Sequence, residues 1–102
     1  MNNKTFEDIV DNRFEVCKNT LFKKAKEYSS DDDRLHNFMM AAQINGDTPA
    51  QALWGMYTKH LVSIMDMVAY GNVSPEMIEE KFTDVINYML LLEAIMVEEM
   101  EC

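Results

Sequence analysis

The chain has 102 residues, 48% of them hydrophobic and 26% charged, with a formal net charge of −9 at pH 7. This length suits one domain, and the hydrophobic content excludes an intrinsically disordered chain. Residues 71–102 hold eight acidic residues and one basic residue, a net −7, so the acidity is concentrated at the C-terminal end. Such a chain is not expected to bind the backbone of DNA or RNA, because phosphate contacts need clustered Lys and Arg.

The sequence indicates a reduced, cytoplasmic protein. Its N-terminus lacks the apolar segment of a signal peptide, and no run approaches the roughly 20 apolar residues that span a membrane. Its two cysteines, Cys17 and Cys102, are too few for a disulfide framework. We expect Cys17 to pack as a small hydrophobic residue and Cys102 to be exposed.

Four helices are predicted in chain order, at about 5–28, 31–45, 48–70 and 75–100. Each start carries a capping motif, in which a hydroxyl side chain can accept a hydrogen bond from a free backbone amide. The motifs are TFED, SDDD, TPAQ and SPEM, with Thr5, Ser30, Thr48 and Ser74 as the expected N-caps. Gly46 and Gly71 are expected to end the second and third helices. The predicted fold is all-α, a single four-helix-bundle-like domain over residues 1–102.

The predicted fourth helix is apolar on almost every side between Val85 and Val97. A helix of that kind must be buried all round, and a domain of four helices covers only one broad face of it. We therefore expect a homo-oligomer, most simply a dimer built around the third and fourth helices. The ten methionines of the chain suit adaptable packing, in a core or at such an interface.

Polar residues interrupt this apolar helix in a regular pattern. Glu80, Asp84, Asn87 and Tyr88 follow the spacing i, i+4, i+7, i+8, which places them on one side. A buried Asn87 needs hydrogen-bond partners, either on a neighbouring helix or on a ligand. Two carboxylates one turn apart suit a hard cation such as Mg²⁺, although a solvated acidic patch near a helix start has the same pattern.

Several motifs are similar to those of one protein family. They are the lysine-rich KKAK at the end of helix one, then YSSDDDRLHNF, ALWGMYTKH and EEKFTDVINYMLLLEAI. In this order they resemble small all-α proteins of phages and prophages related to MazG-type nucleoside triphosphate pyrophosphohydrolases, and the nucleotide-modification-associated family. The resemblance covers roughly residues 18–97. It implies an oligomeric protein of the bacterial cytoplasm, with a nucleotide pocket between helices and Mg²⁺ held by acidic side chains.

The resemblance assigns roles to particular residues. It implies Glu80 and Asp84 as metal ligands, with Asp33 or Asp66 completing the set. The usual Glu–x–x–Glu of the central helix is missing, and Lys81 replaces a later Glu, so Asp31, Asp32 and Asp33 are candidate substitutes. The residues expected around the nucleotide are Lys24, Arg34, Lys59, His60, Asn87 and Tyr88. His60 is also readily interpreted as a packing residue at the margin of an apolar helix face.

Three functions are compatible with these features. The first is a Mg²⁺-dependent nucleoside triphosphate pyrophosphohydrolase of phage nucleotide metabolism. The second is a non-catalytic nucleotide binder, including an anti-defence protein that sequesters a nucleotide immune signal. The third is a phage protein that blocks a host defence protein through the acidic surface of its C-terminal helix. The sequence contains no Walker A loop, dinucleotide fingerprint or Ser–His–Asp signature.

Overall fold

The computed structural model describes the backbone of residues 1–28 and 33–101, and the side chains of residues 1–25 and 33–101. It contains four α-helices: α1 (Asn3–Tyr28), α2 (His36–Asn45), α3 (Pro49–Tyr70) and α4 (Pro75–Met100). The predicted all-α, four-helix arrangement is therefore confirmed. None of the described helices is long and apolar enough to cross a membrane.

The ends of α3 and α4 follow the sequence signals. Thr48 and Gln51 form a reciprocal capping box, with the Gln51 amide donating to Thr48 Oγ1 at 3.2 Å. Ser74 Oγ accepts from the Met77 amide at 3.2 Å and caps α4. Gly46 and Gly71 end α2 and α3 with φ of 71° and 66°, the left-handed conformation that favours glycine.

The starts of α1 and α2 differ from the prediction. α1 begins two residues early, because Asn2 Oδ1 accepts a 2.8 Å hydrogen bond from the Thr5 amide, so Thr5 is not the cap. α2 begins at His36 rather than near residue 31. Asp33 Oδ1 instead accepts from the Leu35 amide at 2.9 Å and stabilises a turn before the helix. The expected cap Ser30 lies outside the described residues.

Helix α4 lies between α1 and α3 and is the centre of the fold. α2 packs on α3, α3 on α4, and α1 on α4. Arg13 of α1 bonds to Glu79 and Thr83, and Cys17 bonds to Asn87, so α1 and α4 run in the same direction. The hairpin through Gly71 makes α3 antiparallel to α4. The buried core between α2, α3 and α4 consists of Leu35, Phe38, Leu53, Tyr57 and Ile95.

The apolar faces of α1 and α3 are only partly buried. On α1, Cys17 is buried as expected, but Phe6, Ile9 and Phe14 are exposed. The first turns of α1 precede the level at which α4 begins, since Arg13 already lies beside Glu79, so Phe6 has no helix opposite it. On α3, Leu53 and Tyr57 are buried, whereas Trp54, Met65 and Val68 are exposed.

Candidate functional site

A cleft of about 310 Å³ opens between the helices, and all four helices and the turn before α2 contribute to it. This volume is at the lower end of the range, roughly 300–1,000 Å³, that small-molecule sites occupy. The cleft contains all six residues expected around a nucleotide. Its lining is Leu21, Lys24, Arg34, Asn37, Phe38, Lys59, His60, Asp84, Asn87, Tyr88 and Leu91.

Positive charge dominates the cleft, in contrast to the acidic chain as a whole. Lys24 comes from α1, Arg34 from the turn before α2 and Lys59 from α3. Against these three cations the lining has one carboxylate, Asp84, which gives a net charge of +2 when His60 is neutral. Arg34 Nη2 also donates to the Leu21 carbonyl at 3.4 Å, which ties the turn to the end of α1. The cleft is therefore an anion-attracting region on a chain of net charge −9.

Aromatic rings hold Tyr88 and His60 in place beside the cleft. Tyr57 stacks on Tyr88, with ring centroids 5.8 Å apart and an interplanar angle of 10°. The His60 ring lies 4.7 Å from Tyr88 on a tilted plane, and Phe38 meets Tyr88 edge-on at 6.5 Å. Such contacts add to the energy of apolar burial and restrict ring orientation. These ring contacts fix the orientation of Tyr88 and His60 on this side of the cleft.

His60 is uncharged at neutral pH. Burial lowers the pKa of its imidazole below the usual value of 6.5; nearby Asp84 raises it, and Lys59, Lys81 and Lys24 lower it further. His60 Nδ1 lies 3.6 Å from Asp84 Oδ2, a separation that counts as an ion pair only if the imidazole is protonated. Because burial and the three lysines outweigh Asp84, we treat the contact as one between a neutral ring and a carboxylate.

Asn87 is the buried polar residue of the cleft, with 6% of its surface exposed. Its Nδ2 donates to the Cys17 carbonyl at 3.2 Å, which joins α4 to α1. Its Oδ1 is also buried and accepts no hydrogen bond among the described residues. A buried acceptor without a partner costs about 1–3 kcal/mol. A donor on a ligand would reach this oxygen only if the Asn87 side chain turned toward the cleft.

The acidic residues expected to bind Mg²⁺ lie at three places in the described part of the chain. Glu80 is exposed, lies 3.5 Å from Lys81 Nζ, and shares with Asp84 a shallow groove between α1 and α4. Asp66 lies in a separate groove near Lys81, and Asp33 caps the turn before α2. The described residues contain no group of three or more His, Cys, Asp or Glu placed to hold a metal. Asp31 and Asp32 lie outside them.

Cys17 does not line the cleft, and its surroundings disfavour the thiolate form. Its thiol is buried between α1 and α4. Burial raises the pKa of this thiol, and a hydrogen bond to Thr83 and the charge of Arg13 lower it by less. A raised pKa disfavours the reactive thiolate. Thr83 Oγ1 accepts a 2.7 Å hydrogen bond from Arg13 Nη1 in the same cluster. This cluster holds the two helices together on one side of the cleft. Cys102 lies outside the described residues.

Four lining residues were not identified from the sequence. Leu21, Phe38 and Leu91 form an apolar side, and Asn37 adds a second amide at the start of α2. Asn37 and Phe38 belong to the motif YSSDDDRLHNF, but the motif did not assign a role to either residue. Their position depends on where α2 begins, and that start is set by the Asp33 turn rather than by a sequence cap.

Comparison of the chain with known proteins does not assign a function to this cleft. No protein-family model, no characterised protein and no solved structure matches the sequence or the fold. The similarity to MazG-type proteins thus stays a prediction from motifs. The candidate site is described by its geometry: a cationic cleft with an aromatic side and a buried acceptor oxygen.

Proposed function

We propose that the protein binds an anionic nucleotide in the cleft between its four helices. The observation that carries this proposal is the convergence of Lys24, Arg34 and Lys59, from three separate elements, on one cleft. Cations on separate elements meet a phosphate group from several directions. Charge-assisted hydrogen bonds to phosphate are the strong kind, so three of them support a specific site.

The rest of the lining suits the nucleoside part of such a ligand. Leu21, Phe38 and Leu91 offer apolar surface to the faces of a base or sugar, and the amide side chains of Asn37 and Asn87 belong to the same lining. A lining of apolar and aromatic residues with a few convergent polar groups is typical of small-molecule sites. The dimensions suit one small molecule.

Binding without hydrolysis is the form of this function that we propose. Glu80 and Asp84 are one helical turn apart, but Asp84 faces His60. Glu76 and Glu79 line the same groove, yet the described residues contain no group of three or more His, Cys, Asp or Glu placed to hold a metal. A Mg²⁺ site with two protein carboxylates still needs further oxygen ligands, from a substrate or from Asp31 and Asp32. Pyrophosphohydrolysis is therefore the second candidate function, and its specific support is the shared groove of Glu80 and Asp84.

The test is a mixed-ligand binding experiment on the purified chain with Mg²⁺ present. The pool contains nucleoside mono- and triphosphates, deoxynucleotides, cyclic nucleotides and ADP-ribose-type molecules. Mass spectrometry then identifies what stays with the protein and what has changed in the filtrate. The expected result is retention of an unchanged nucleotide. Pyrophosphate and monophosphate in the filtrate would instead establish hydrolysis and make Asp84→Ala the first variant.

Charge-neutralising variants locate the retained ligand. Lys59→Gln and Arg34→Gln should each weaken binding about tenfold or more, since a hydrogen bond to a charged group contributes about 1.5–3 kcal/mol. Lys18→Gln is the matched control, because Lys18 is exposed on α1 and does not line the cleft. Equal weakening by all three variants, or no retained nucleotide at all, contradicts the proposal. In the second case an acidic surface that binds a host protein becomes the better explanation.

A further inference from the structure

One face of α4 is apolar, exposed and free of most charge. Its members follow the alternating spacing 4, 3, 4, 3, 4, which keeps them in one stripe along about 27 Å of helix. We call this stripe the α4 seam. It consists of Phe82, Ile86, Met89, Glu93, Met96 and Met100.

The seam is the third face of α4, left open by its neighbours. α1 packs on the face with Thr83 and Asn87, and α3 packs on the face with Asp84 and Tyr88. The seam lies along a shallow groove of about 460 Å³, bordered by Leu90 and Val97. Met89 is 51% exposed and Met100 is 85% exposed, so these side chains have no cover within one chain.

The accessible surface of the chain is larger than that of a compact monomer of the same mass. The accessible surface is 7503 Å² for a mass of 11.9 kDa, whereas a compact monomer of that mass exposes roughly 5,900 Å². The excess of roughly 1,600 Å² falls within the roughly 1,000–2,500 Å² that each chain buries in an obligate dimer. The radius of gyration, 15.6 Å, also exceeds the roughly 13 Å expected for a compact domain of this length.

We infer that the α4 seam is the interface of a homodimer, in which two α4 helices pack against each other antiparallel. A second copy is the partner that fits, because the seam presents the same heptad spacing to itself. A chain of net charge −9 would be repelled by an anionic membrane. A basic partner would leave its charges unpaired against a seam in which Glu93 is the one charged member.

Charge selects the antiparallel direction. A parallel pair would set Glu93 against Glu93 and bring together the acidic ends that carry Glu98, Glu99 and Glu101. Antiparallel pairing about the middle of the seam places Glu93 opposite Met89 of the second copy. The same register places Ile86 opposite Met96 and Phe82 opposite Met100, so every seam residue faces another one. The acidic C-terminal ends are then at opposite ends of the interface.

The dimer leaves the proposed nucleotide clefts accessible. Asp84, Asn87, Tyr88 and Leu91 line the cleft from the side of α4 opposite the seam. Each cleft is built from one chain, so breaking the dimer should not remove ligand binding. An experiment can therefore contradict the proposed dimer without contradicting the proposed nucleotide site, and the reverse.

Sedimentation equilibrium on the wild-type chain and two seam variants tests the inference. Wild type should sediment at twice the chain mass. Met89→Glu should weaken dimerisation about a hundredfold, because it buries an unpaired charge in each copy. Glu93→Met should strengthen dimerisation about tenfold, because it removes one buried charge from each copy. Circular dichroism checks that each variant keeps its helices.

Met65→Glu is the matched control, since Met65 is 66% exposed on α3 and undergoes the same chemical change. The Met65→Glu dimer should dissociate with the same dissociation constant as the wild-type dimer. A monomeric wild-type chain overturns the inference. So does a dimer that Met65→Glu dissociates and Met89→Glu does not, because the interface would then lie on α3.

Cross-linking tests the direction in a Cys102→Ser background. A mixture of Met89→Cys chains and Glu93→Cys chains should form disulfide-linked dimers on oxidation, because these positions face each other in the antiparallel register. Each variant alone should cross-link poorly. Efficient cross-linking of Glu93→Cys alone would establish a parallel pair and overturn the antiparallel arrangement.

Discussion

The two ends of the Asn87 amide have different surroundings. Nδ2 donates to the Cys17 carbonyl and holds α1 on α4, while Oδ1 accepts no hydrogen bond from the described residues. From the sequence, this residue was notable as an amide within the apolar run DVINYMLLL, and a helix contact or a ligand contact remained as alternatives. The structure confirms the helix contact for one atom. The ligand contact stays a proposal for the other.

The partly buried imidazole of His60 predicts a pH dependence of stability. Its folded-state pKa lies below the unfolded value of about 6.5, so the unfolded chain takes up the proton first as the pH falls. The contribution of His60 is therefore full above about pH 6.5 and declines as the pH falls toward the folded-state pKa. Urea unfolding at about pH 7.5 and 5.5 should show a smaller loss of stability in His60→Gln than in wild type.

The control for this measurement is the other histidine. His36 is exposed at the start of α2 and lies outside the cleft, so His36→Gln should lose stability with pH as wild type does. Identical pH dependence in wild type and His60→Gln would show that burial does not perturb this imidazole. A measurement at constant protein concentration keeps any dimerisation out of the comparison.

Among the elements, α3 and α4 were predictable to the residue because their caps are local. Thr48, Gln51 and Ser74 bond to amides within three residues, so each motif carries its own geometry. The start of α2 was not predictable in this way. It depends on the turn at Asp33 and on the packing of Leu35 and Phe38 into the core, which no local pattern contains.

Two glycines provide a matched prediction for α3. Gly55 lies inside the helix and Gly71 ends it with φ of 66°, and a Cβ at either position would meet nothing within 4 Å. Gly55→Ala should therefore stabilise the fold by about 0.5–1 kcal/mol through helix propensity. Gly71→Ala should destabilise it by about 1–2 kcal/mol, because alanine is strained in the left-handed conformation. Urea denaturation of both variants measures the difference.

Steric clashes cannot explain opposite effects of the two alanine substitutions on stability, since there is room for a Cβ at both positions. Destabilisation by Gly55→Ala would point to an intermolecular contact at that surface of α3, in conflict with an interface confined to α4. A neutral Gly71→Ala would mean that the turn after α3 adopts another conformation in solution.

At the scale of the whole molecule, an acidic chain carries both a cationic cleft and an apolar seam. These features predict opposite responses to salt. Screening should weaken attraction between the cleft and an anionic nucleotide, and it should reduce repulsion between two chains of net charge −9. On raising NaCl from about 20 mM to about 200 mM, nucleotide affinity should fall while dimerisation strengthens. Calorimetric titration and sedimentation measure the two effects separately.

Lys59→Gln separates the two parts of this prediction. It should reduce the salt dependence of nucleotide binding and leave that of dimerisation unchanged, because Lys59 lines the cleft and lies away from the α4 seam. Nucleotide affinity that rises with salt would contradict an electrostatic role for the cleft. Dimerisation that weakens with salt would indicate charge pairs across the interface instead of an apolar seam.

The sequence by itself determined the four helices and the helix ends marked by Gly46, Thr48, Gly71 and Ser74. It also identified the polar residues that interrupt the apolar helix faces. These properties depend on neighbours within one or two helical turns. Lys24, Arg34, Lys59, His60, Asn87 and Tyr88 were selected through motifs, and the structure places all six around one cleft. What they bind was predicted from a resemblance and remains to be tested.

Only the tertiary structure decided how these residues meet. The parallel packing of α1 on α4 places Lys24 next to Asp84, and the late start of α2 brings Asn37 and Phe38 to the cleft. It also showed that Glu80, Asp66 and Asp33 lie apart, and that α4 keeps one face uncovered. The physical reason is range: caps and helix propensity act between near neighbours, whereas a cleft or an exposed seam depends on helices far apart in sequence.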